Sequence, residues 1–124
     1  MDAFGLPKGT EDEKKARKSA IEEASKYAIQ VPFRVMQKSL ESMQVMKAMA
    51  EIGMAASASD VGVGALCART AVMGAFLNVK INAGGLDDKA FAEEMVNKGS
   101  LIAAQASALE SEILSIVERK ISKS

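Results

Sequence analysis

The residues best suited to chemistry lie along one face of an apolar stretch in the middle of the chain. Asp60, Asn78 and Asn82 stand there among small and hydrophobic residues. At about 100° per residue, a helix brings the three within about 40° of one line. A carboxylate can transfer protons, and two amides four residues apart can pair with the edge of a heterocycle. The functional interpretation of this pattern is a groove for a flat ligand with a polar edge.

Each of these residues also has a structural alternative, which the sequence leaves open. Asp60 could cap the first turn of a helix, and the two amides could make interhelical or helix-end hydrogen bonds. Lys80 could lie along the surface with only its ammonium group in water. The face as a whole could serve close helix packing or form the floor of a ligand groove. Its members, all small or polar, are Asp60, Gly64, Cys67, Ala71, Gly74, Asn78 and Asn82.

The composition excludes several classes of chemistry. The 124 residues include no His and one Cys, so His-dependent triads are absent and a zinc site is disfavoured. Sixteen basic residues balance sixteen acidic ones, which argues against a nucleic-acid partner. The lone Cys67 cannot form an internal disulfide, so we expect a buried thiol in a reduced, cytoplasmic protein. Residues 61–79 are long enough to span a bilayer, but the central Arg69 favours a core helix and no membrane.

The elements that position these residues are predicted to be helices. Strand-like alternation is almost absent, while Ala, Met, Glu and Lys are plentiful, so we expect an all-α bundle of four to five long helices. Thr10 and Glu13 fit a capping box, Pro32 marks a helix boundary, and Gly53 ends a helix. Ser57 or Ser59 would cap the next helix, Gly84-Gly85 would end it, and Asp87 would cap the last. The predicted helices cover about 10–31, 32–53, 57–82 and 88–121.

Two of these helices carry further expectations. The helix over 57–82 is apolar nearly all round and should be central and buried. The last helix has an apolar stripe from Phe91 to Ile121, about 50 Å long. This length exceeds a compact domain, so the helix should bend, break near Gly99 or pack against a second chain, and we expect a dimer or higher oligomer. Five methionines between Met36 and Met54 indicate a core seam or an adaptable ligand wall.

Four segments resemble the cyclodeaminase/cyclohydrolase family of folate enzymes, which includes formiminotetrahydrofolate cyclodeaminase and methenyltetrahydrofolate cyclohydrolase. Their order and spacing match over nearly the whole chain. Two features depart from the family: Met54 follows Gly53 where members usually carry Asn, and an N-terminal, Gly-rich portion is missing. Residues 1–124 are therefore expected to form one all-α domain, the C-terminal part of a cyclodeaminase-like domain. The segments are LPKGT (6–10, with Glu11, Glu13, Lys14 and Arg17), VP (31–32), SDVGV (59–63) and GAFLNVKIN (74–82).

The resemblance implies a dimeric enzyme without metal or cofactor that acts on a one-carbon-substituted tetrahydrofolate. In the cyclodeaminase reaction, 5-formiminotetrahydrofolate loses ammonia and becomes 5,10-methenyltetrahydrofolate. The alternatives are the cyclohydrolase reaction and a catalytically silent helical dimerisation module. Asp60 would be the acid–base residue, Asn78 and Asn82 would orient the pterin, and Lys8 and Lys80 would meet the glutamate tail. Part of the folate site would lie in the missing N-terminal half, so we expect little turnover from this chain alone.

Overall fold

The computed structural model describes residues 2–123, which form three long helices in an up-down-up arrangement. The helices are α1 (Glu11–Ile52), α2 (Ala58–Gly84) and α3 (Lys89–Lys123), with short 3-10 turns at Asp2–Gly5 and Ala55–Ser57. Each helix packs against both others. The all-α prediction is confirmed, but the described residues form three long helices rather than four or five.

The difference in helix number comes from Pro32, which lies inside α1 and does not end it. A proline within a helix removes one backbone hydrogen bond, which is why a boundary was predicted there. The buried residues Ile29, Met36 and Met43 lie seven residues apart, so a single apolar seam runs past the proline on both sides. Burial of this seam offsets the local cost of the proline, and one 42-residue helix results.

α1 begins at the cap predicted for the first helix and ends at Gly53, the residue predicted to end the second. The hydroxyl oxygen of Thr10 accepts a hydrogen bond from the Glu13 N–H at 3.1 Å. The Glu13 carboxylate in turn accepts from the N–H of Gly9 at 2.9 Å, one residue further back than in a standard capping box. At the other end, Gly53 is the C-cap, and Lys120 of α3 donates to the carbonyls of Glu51 and Gly53 at 3.1 and 2.7 Å. The ammonium group thus covers the negative end of α1.

The turn between α2 and α3 corrects two predicted caps. Asp88, not Asp87, caps α3, since its carboxylate accepts from the Phe91 N–H at 3.1 Å. Glu22 of α1 accepts from the N–H groups of Asp87 and Asp88 at 2.8 and 3.3 Å, so the turn is bound to α1. Ser57 occupies the N-cap position of α2 but makes no capping bond through its side chain. The predicted break at Gly84-Gly85 is confirmed.

The expectation that α2 is buried all round is wrong. One face is buried and consists mainly of Ala and Val, whereas the opposite face is exposed and apolar. Cys67 lies on the exposed side and is not the buried thiol that was predicted. A Cβ added to Gly74 would meet no atom within 4 Å, so the small-residue face is open there, whereas a Cβ at Gly64 would lie 3.5 Å from Met46 of α1. The exposed apolar face of α2 comprises Val63, Leu66, Met73, Leu77 and Ile81.

The predicted stripe on the last helix packs within the same chain over most of its length, although Ile121 at its end is exposed. Met95, Ala106 and Ile113 of α3 pack into the core against α1 and α2, and α3 continues unbroken through Gly99. The long helix needs neither a bend nor a second chain because the three-helix bundle is itself elongated. The methionine cluster divides between the two predicted roles, since Met36 and Met43 are fully buried and Met49 is half-exposed.

Two helical stretches, 55–84 and α3, are long and apolar enough to cross a bilayer by length and composition alone. The core helix of a water-soluble bundle passes the same test, so this is weak evidence for a membrane span. Within the first stretch, the Arg69 guanidinium pairs with Glu110 of α3 at 3.4 Å. The charge therefore lies between helices rather than on the exposed apolar face.

Two glycines in equivalent helical settings should respond oppositely to alanine. A Cβ at Gly99 would lie 2.7 Å from the Phe76 ring, whereas a Cβ at Gly74 would be unobstructed. Both changes gain up to about 1 kcal/mol of helix propensity, but overpacking at Gly99 costs about 1–3 kcal/mol. We expect Gly74→Ala to be more stable than Gly99→Ala by about that cost in chemical denaturation. Equal stabilities would contradict the close approach of α2 and α3.

The cap of α3 predicts a specific acid sensitivity. The Lys26 ammonium donates to Asp88 at 2.9 Å and, with the Phe91 N–H, lowers the pKa of Asp88 below its usual value. A lowered folded-state pKa contributes stability above the unfolded value of about 3.9, and this is lost as the pH falls through the folded pKa. Asp88→Asn should therefore flatten the loss of thermal stability below about pH 4. Asp87→Asn removes only an exposed ion pair with Lys18, so this variant should lose thermal stability below about pH 4 as steeply as the wild type.

Candidate functional site

An open groove lies between α1 and α2, near the middle of α1 and the C-terminal half of α2. Its volume is about 510 Å³. The α1 wall is apolar, and the α2 wall contains two alanines and two amides. The lining residues are Ala28, Val31, Pro32 and Val35 from α1, and Ala71, Ala75, Asn78 and Asn82 from α2. Part of the predicted small-residue face is therefore one wall of a groove.

One wall of the groove is tied to the other through the proline. Because Pro32 has no N–H, the carbonyl of Ala28 lacks the donor that the fourth following residue supplies in a helix. The Asn82 amide donates to this carbonyl at 3.3 Å. Asn82 therefore makes the interhelical hydrogen bond of its structural alternative, while its Oδ1 remains on the groove wall. The bond joins α1 and α2 at one end of the groove.

Asn78 is the polar group in the groove with free bonding capacity. It is exposed, and its amide makes no hydrogen bond with any residue in the described range 2–123. It lies about 6 Å from Asn82 along the helix, one turn away. A side-chain amide offers two donors and one acceptor oxygen. The groove can therefore enclose a flat apolar body between its walls and pair with a polar edge at Asn78.

The groove is suited to binding rather than to proton transfer. None of its eight lining residues has an ionisable side chain. Within residues 2–123, no group of three or more Cys, Asp or Glu is placed to hold a metal ion. An acid–base group for chemistry in the groove must therefore come from outside these walls.

The other predicted site residues do not reach the groove within one chain. Asp60 is exposed in the first turn of α2, about 27 Å along the helix from Asn78. Lys80 lies on the other side of α2, where its ammonium sits 4.5 Å from the centre of the Phe76 ring. Lys8 precedes α1 and lies about 25 Å or more from Ala28 along that helix. The structure brings together only Asn78 and Asn82.

Sequence reasoning missed the α1 wall of the groove. Ala28, Val31 and Val35 were assigned to a helix end and a helix start, because Pro32 was interpreted as a boundary. The available signal was the proline itself. A proline inside a helix frees a carbonyl, and an unpaired carbonyl requires a polar partner from a neighbouring element. Asn82, for which an interhelical hydrogen bond was one predicted alternative, was a candidate donor to this carbonyl.

The fold is all-α, with an open groove between two of its helices. The family model described as formiminotransferase-cyclodeaminase matches residues 1–101. The chain belongs to this family, and the resemblance drawn from its sequence segments is confirmed. The matched range contains α1, α2 and the whole groove.

The relatives include both a cyclohydrolase and cyclodeaminases. The chain is 41% identical over 121 residues to a methenyltetrahydrofolate cyclohydrolase of Methylorubrum extorquens, covering 98% of this chain and 58% of the relative. It is 35% identical over 123 residues to a formimidoyltransferase-cyclodeaminase of Gallus gallus, covering 97% of this chain and 22% of the relative. A formimidoyltransferase-cyclodeaminase of Mus musculus is 28% identical over a similar range. The chain thus spans little over half of the first relative and about a fifth of the others.

The two amides should differ in their effect on stability. Asn82→Ala removes the donor to the Ala28 carbonyl, and the loss of such a hydrogen bond costs about 0.5–1.5 kcal/mol. Asn78→Ala removes no bond and gains the same helix propensity, so it serves as the matched control. We expect Asn82→Ala to be less stable than Asn78→Ala by about 1 kcal/mol in urea denaturation.

A third variant tests why Asn82 matters. Pro32→Ala restores a backbone N–H that can bond to the Ala28 carbonyl within α1. In that background the penalty for Asn82→Ala should shrink, which a double-mutant cycle measures directly. An unchanged penalty would show that the Asn82 amide does not substitute for the missing N–H of the proline.

Proposed function

We propose that the groove between α1 and α2 binds the pterin-bearing part of a one-carbon-substituted tetrahydrofolate. The observation that carries the proposal is a free amide, Asn78, on the wall of an otherwise apolar groove. Five of the eight residues that line the groove belong to the VP and GAFLNVKIN segments that carry the family resemblance. A pterin is a flat heterocycle with donors and acceptors on its edge, so apolar walls can stack on its faces while amides pair with that edge.

The reaction we propose for this site is the cyclodeaminase reaction. N10 of 5-formiminotetrahydrofolate attacks the formimino carbon on N5, and the bond between this carbon and its amino nitrogen breaks. The formimino =NH nitrogen takes up two protons, one given up by N10 and one from an acid or the solvent, so that neutral ammonia leaves and the cationic 5,10-methenyl bridge forms. Asn78 and the free oxygen of Asn82 would orient the substrate. Asp60 would transfer the proton only from a second chain, or act at another part of the substrate, because it lies about 27 Å from Asn78 along its own helix. Lys8 and Lys80 lie outside the groove, so nothing in its geometry supports their proposed contact with the glutamate tail.

The cyclohydrolase reaction is a second candidate, favoured by the 41% identity to a relative with that name. In this reaction water adds to the methenyl carbon and the bridge opens to a formyl group. Both reactions occur at the same N5–N10 bridge. The same groove and the same orienting amides would therefore serve either one.

Binding of 5,10-methenyltetrahydrofolate tests the proposal, since this compound is the product of one reaction and the substrate of the other. A titration that follows its near-ultraviolet absorbance should show saturable binding to the wild-type chain. Asn78→Ala should raise Kd about 5–150-fold, which corresponds to about 1–3 kcal/mol for an unpaired polar edge. Gln105→Ala, which removes an exposed amide on α3 outside the groove, should leave Kd unchanged.

The outcomes distinguish a cyclodeaminase, a cyclohydrolase and a catalytically silent helical module. No saturable binding, or equal Kd values for Asn78→Ala and wild type, would contradict the folate groove and favour the silent helical module. Where turnover occurs, a cyclodeaminase makes the methenyl absorbance appear from 5-formiminotetrahydrofolate with release of ammonia. A cyclohydrolase makes the same absorbance disappear from 5,10-methenyltetrahydrofolate.

A further inference from the structure

A second cavity, the α2–α3 pocket, lies between the C-terminal end of α2 and the N-terminal end of α3 and has a volume of about 430 Å³. None of its lining residues belongs to the groove between α1 and α2. Its apolar part includes the buried Ala83 and Ala92, and a Cβ added to Gly84 would meet no atom within 4 Å. The space above this apolar part is therefore open, and its size lies within the range of about 300–1,000 Å³ in which proteins bind small molecules.

The α3 wall of the pocket carries a row of polar side chains with free bonding capacity. Lys89, Glu93 and Asn97 follow one another at intervals of four residues, so neighbours in the row lie about 6 Å apart. Within residues 2–123, none of these three side chains makes a hydrogen bond or an ion pair. The row therefore offers a cation, an anion and an amide side by side.

A neighbouring pair on the same helix shows why Lys89 and Glu93 stay apart. The Lys98 ammonium donates to the Glu94 carboxylate at 2.8 Å, across the same interval of four residues. In that pair the acid precedes the base, which is the favoured order on a helix. Lys89 precedes Glu93, which is the less favourable order, and no bond forms between them. Both charges are therefore available to a ligand.

The α2 wall supplies a second cation, whose position is fixed by packing. The Lys80 ammonium lies 4.5 Å from the centre of the Phe76 ring. This ring is buried and approaches α3 so closely that a Cβ added to Gly99 would lie 2.7 Å from it. The cation–π contact holds the ammonium on one side only, so its N–H donors remain free for an acceptor. Although Lys80 and Glu93 line the same pocket, they form no ion pair with each other.

We propose that the α2–α3 pocket binds a free acidic α-amino acid. Two ammonium groups and one carboxylate around one cavity are complementary in charge to a ligand with two carboxylates and one ammonium group. The ligand's carboxylates pair with Lys80 and Lys89, its ammonium group pairs with Glu93, and its methylene groups lie on the apolar part of the pocket. A phosphate or a simple dicarboxylate would instead bring a like charge beside Glu93. The site does not depend on the folate groove, with which it shares no residue.

An NMR titration of the 124-residue chain with L-glutamate tests the location of the site. We expect saturable shifts of the backbone amide signals of Gly84, Ala92 and Val96, which line the pocket. The amide signals of Val31 and Val35, which line the groove, should not move. No saturable shift at tens of millimolar L-glutamate, or shifts centred on the groove, would overturn the proposal.

Two analogues test which charges of the ligand are recognised. N-acetyl-L-glutamate keeps both carboxylates but lacks the ammonium group, as does the glutamyl tail of a folate. L-glutamine keeps the ammonium group but lacks the side-chain carboxylate. Each should bind about 3–10-fold more weakly than L-glutamate, because one charged pair is lost in each case. A Kd for either analogue equal to that for L-glutamate would overturn the proposal, and for N-acetyl-L-glutamate it would indicate a site for dicarboxylates in general.

Matched variants on α3 test the residues of the pocket. Glu93→Gln should raise the Kd for L-glutamate about 3–10-fold and should not weaken N-acetyl-L-glutamate, which has no ammonium group to lose a partner. Glu94→Gln changes the net charge equally but lies outside the pocket, so it should leave both Kd values unchanged. Lys89→Gln should weaken L-glutamate, whereas Lys98→Gln should not.

All four positions are exposed, so the variants should keep the wild-type pattern of amide signals in the absence of ligand. Equal effects of Glu93→Gln and Glu94→Gln on L-glutamate binding would show a response to overall charge and would overturn the proposal. An unchanged Kd in Lys89→Gln would overturn the assignment of the second carboxylate to this wall.

Discussion

The hydrogen bond from Asn82 to the carbonyl of Ala28 is the interaction on which the site depends. It exists because Pro32 withholds the backbone donor that would otherwise occupy this carbonyl. The proline therefore does not end α1 but turns one of its carbonyls toward α2. The bond joins the two helices at one end of the groove, and Asn78 lies one turn away on the same wall. The VP and GAFLNVKIN segments of the family resemblance are thus physically linked.

The parts of the fold that depend on local chemistry could be predicted from the sequence, and the parts that depend on packing could not. The cap at Thr10 and the helix end at Gly53 follow from side chains and backbone within one turn. The continuity of α1 depends on burial of Ile29, Met36 and Met43, which outweighs a local rule at Pro32. Because α2 is apolar on nearly all sides, its sequence does not indicate which side faces the core. Packing against α1 and α3 determines that side.

The candidate site divides in the same way. Sequence reasoning placed Asn78 and Asn82 on one helix face, and the structure places both on one groove. It could not supply the opposing wall, because that wall belongs to a helix segment far away in the sequence. It also could not bring Asp60 to the amides, since a straight helix keeps them about 27 Å apart. The residues predicted to bind and the residue predicted to transfer a proton are therefore far apart within one chain.

The contact of Lys120 with the end of α1 has a consequence for how the bundle opens. Its ammonium group holds the carbonyls of Glu51 and Gly53, which begin the turn into α2. Fraying of the last turn of α3 would remove this cation and uncover the end of α1 at the same time. The C-terminal segment and the α1–α2 turn, separated by nearly 70 positions, should therefore exchange their amide hydrogens as one cooperative unit.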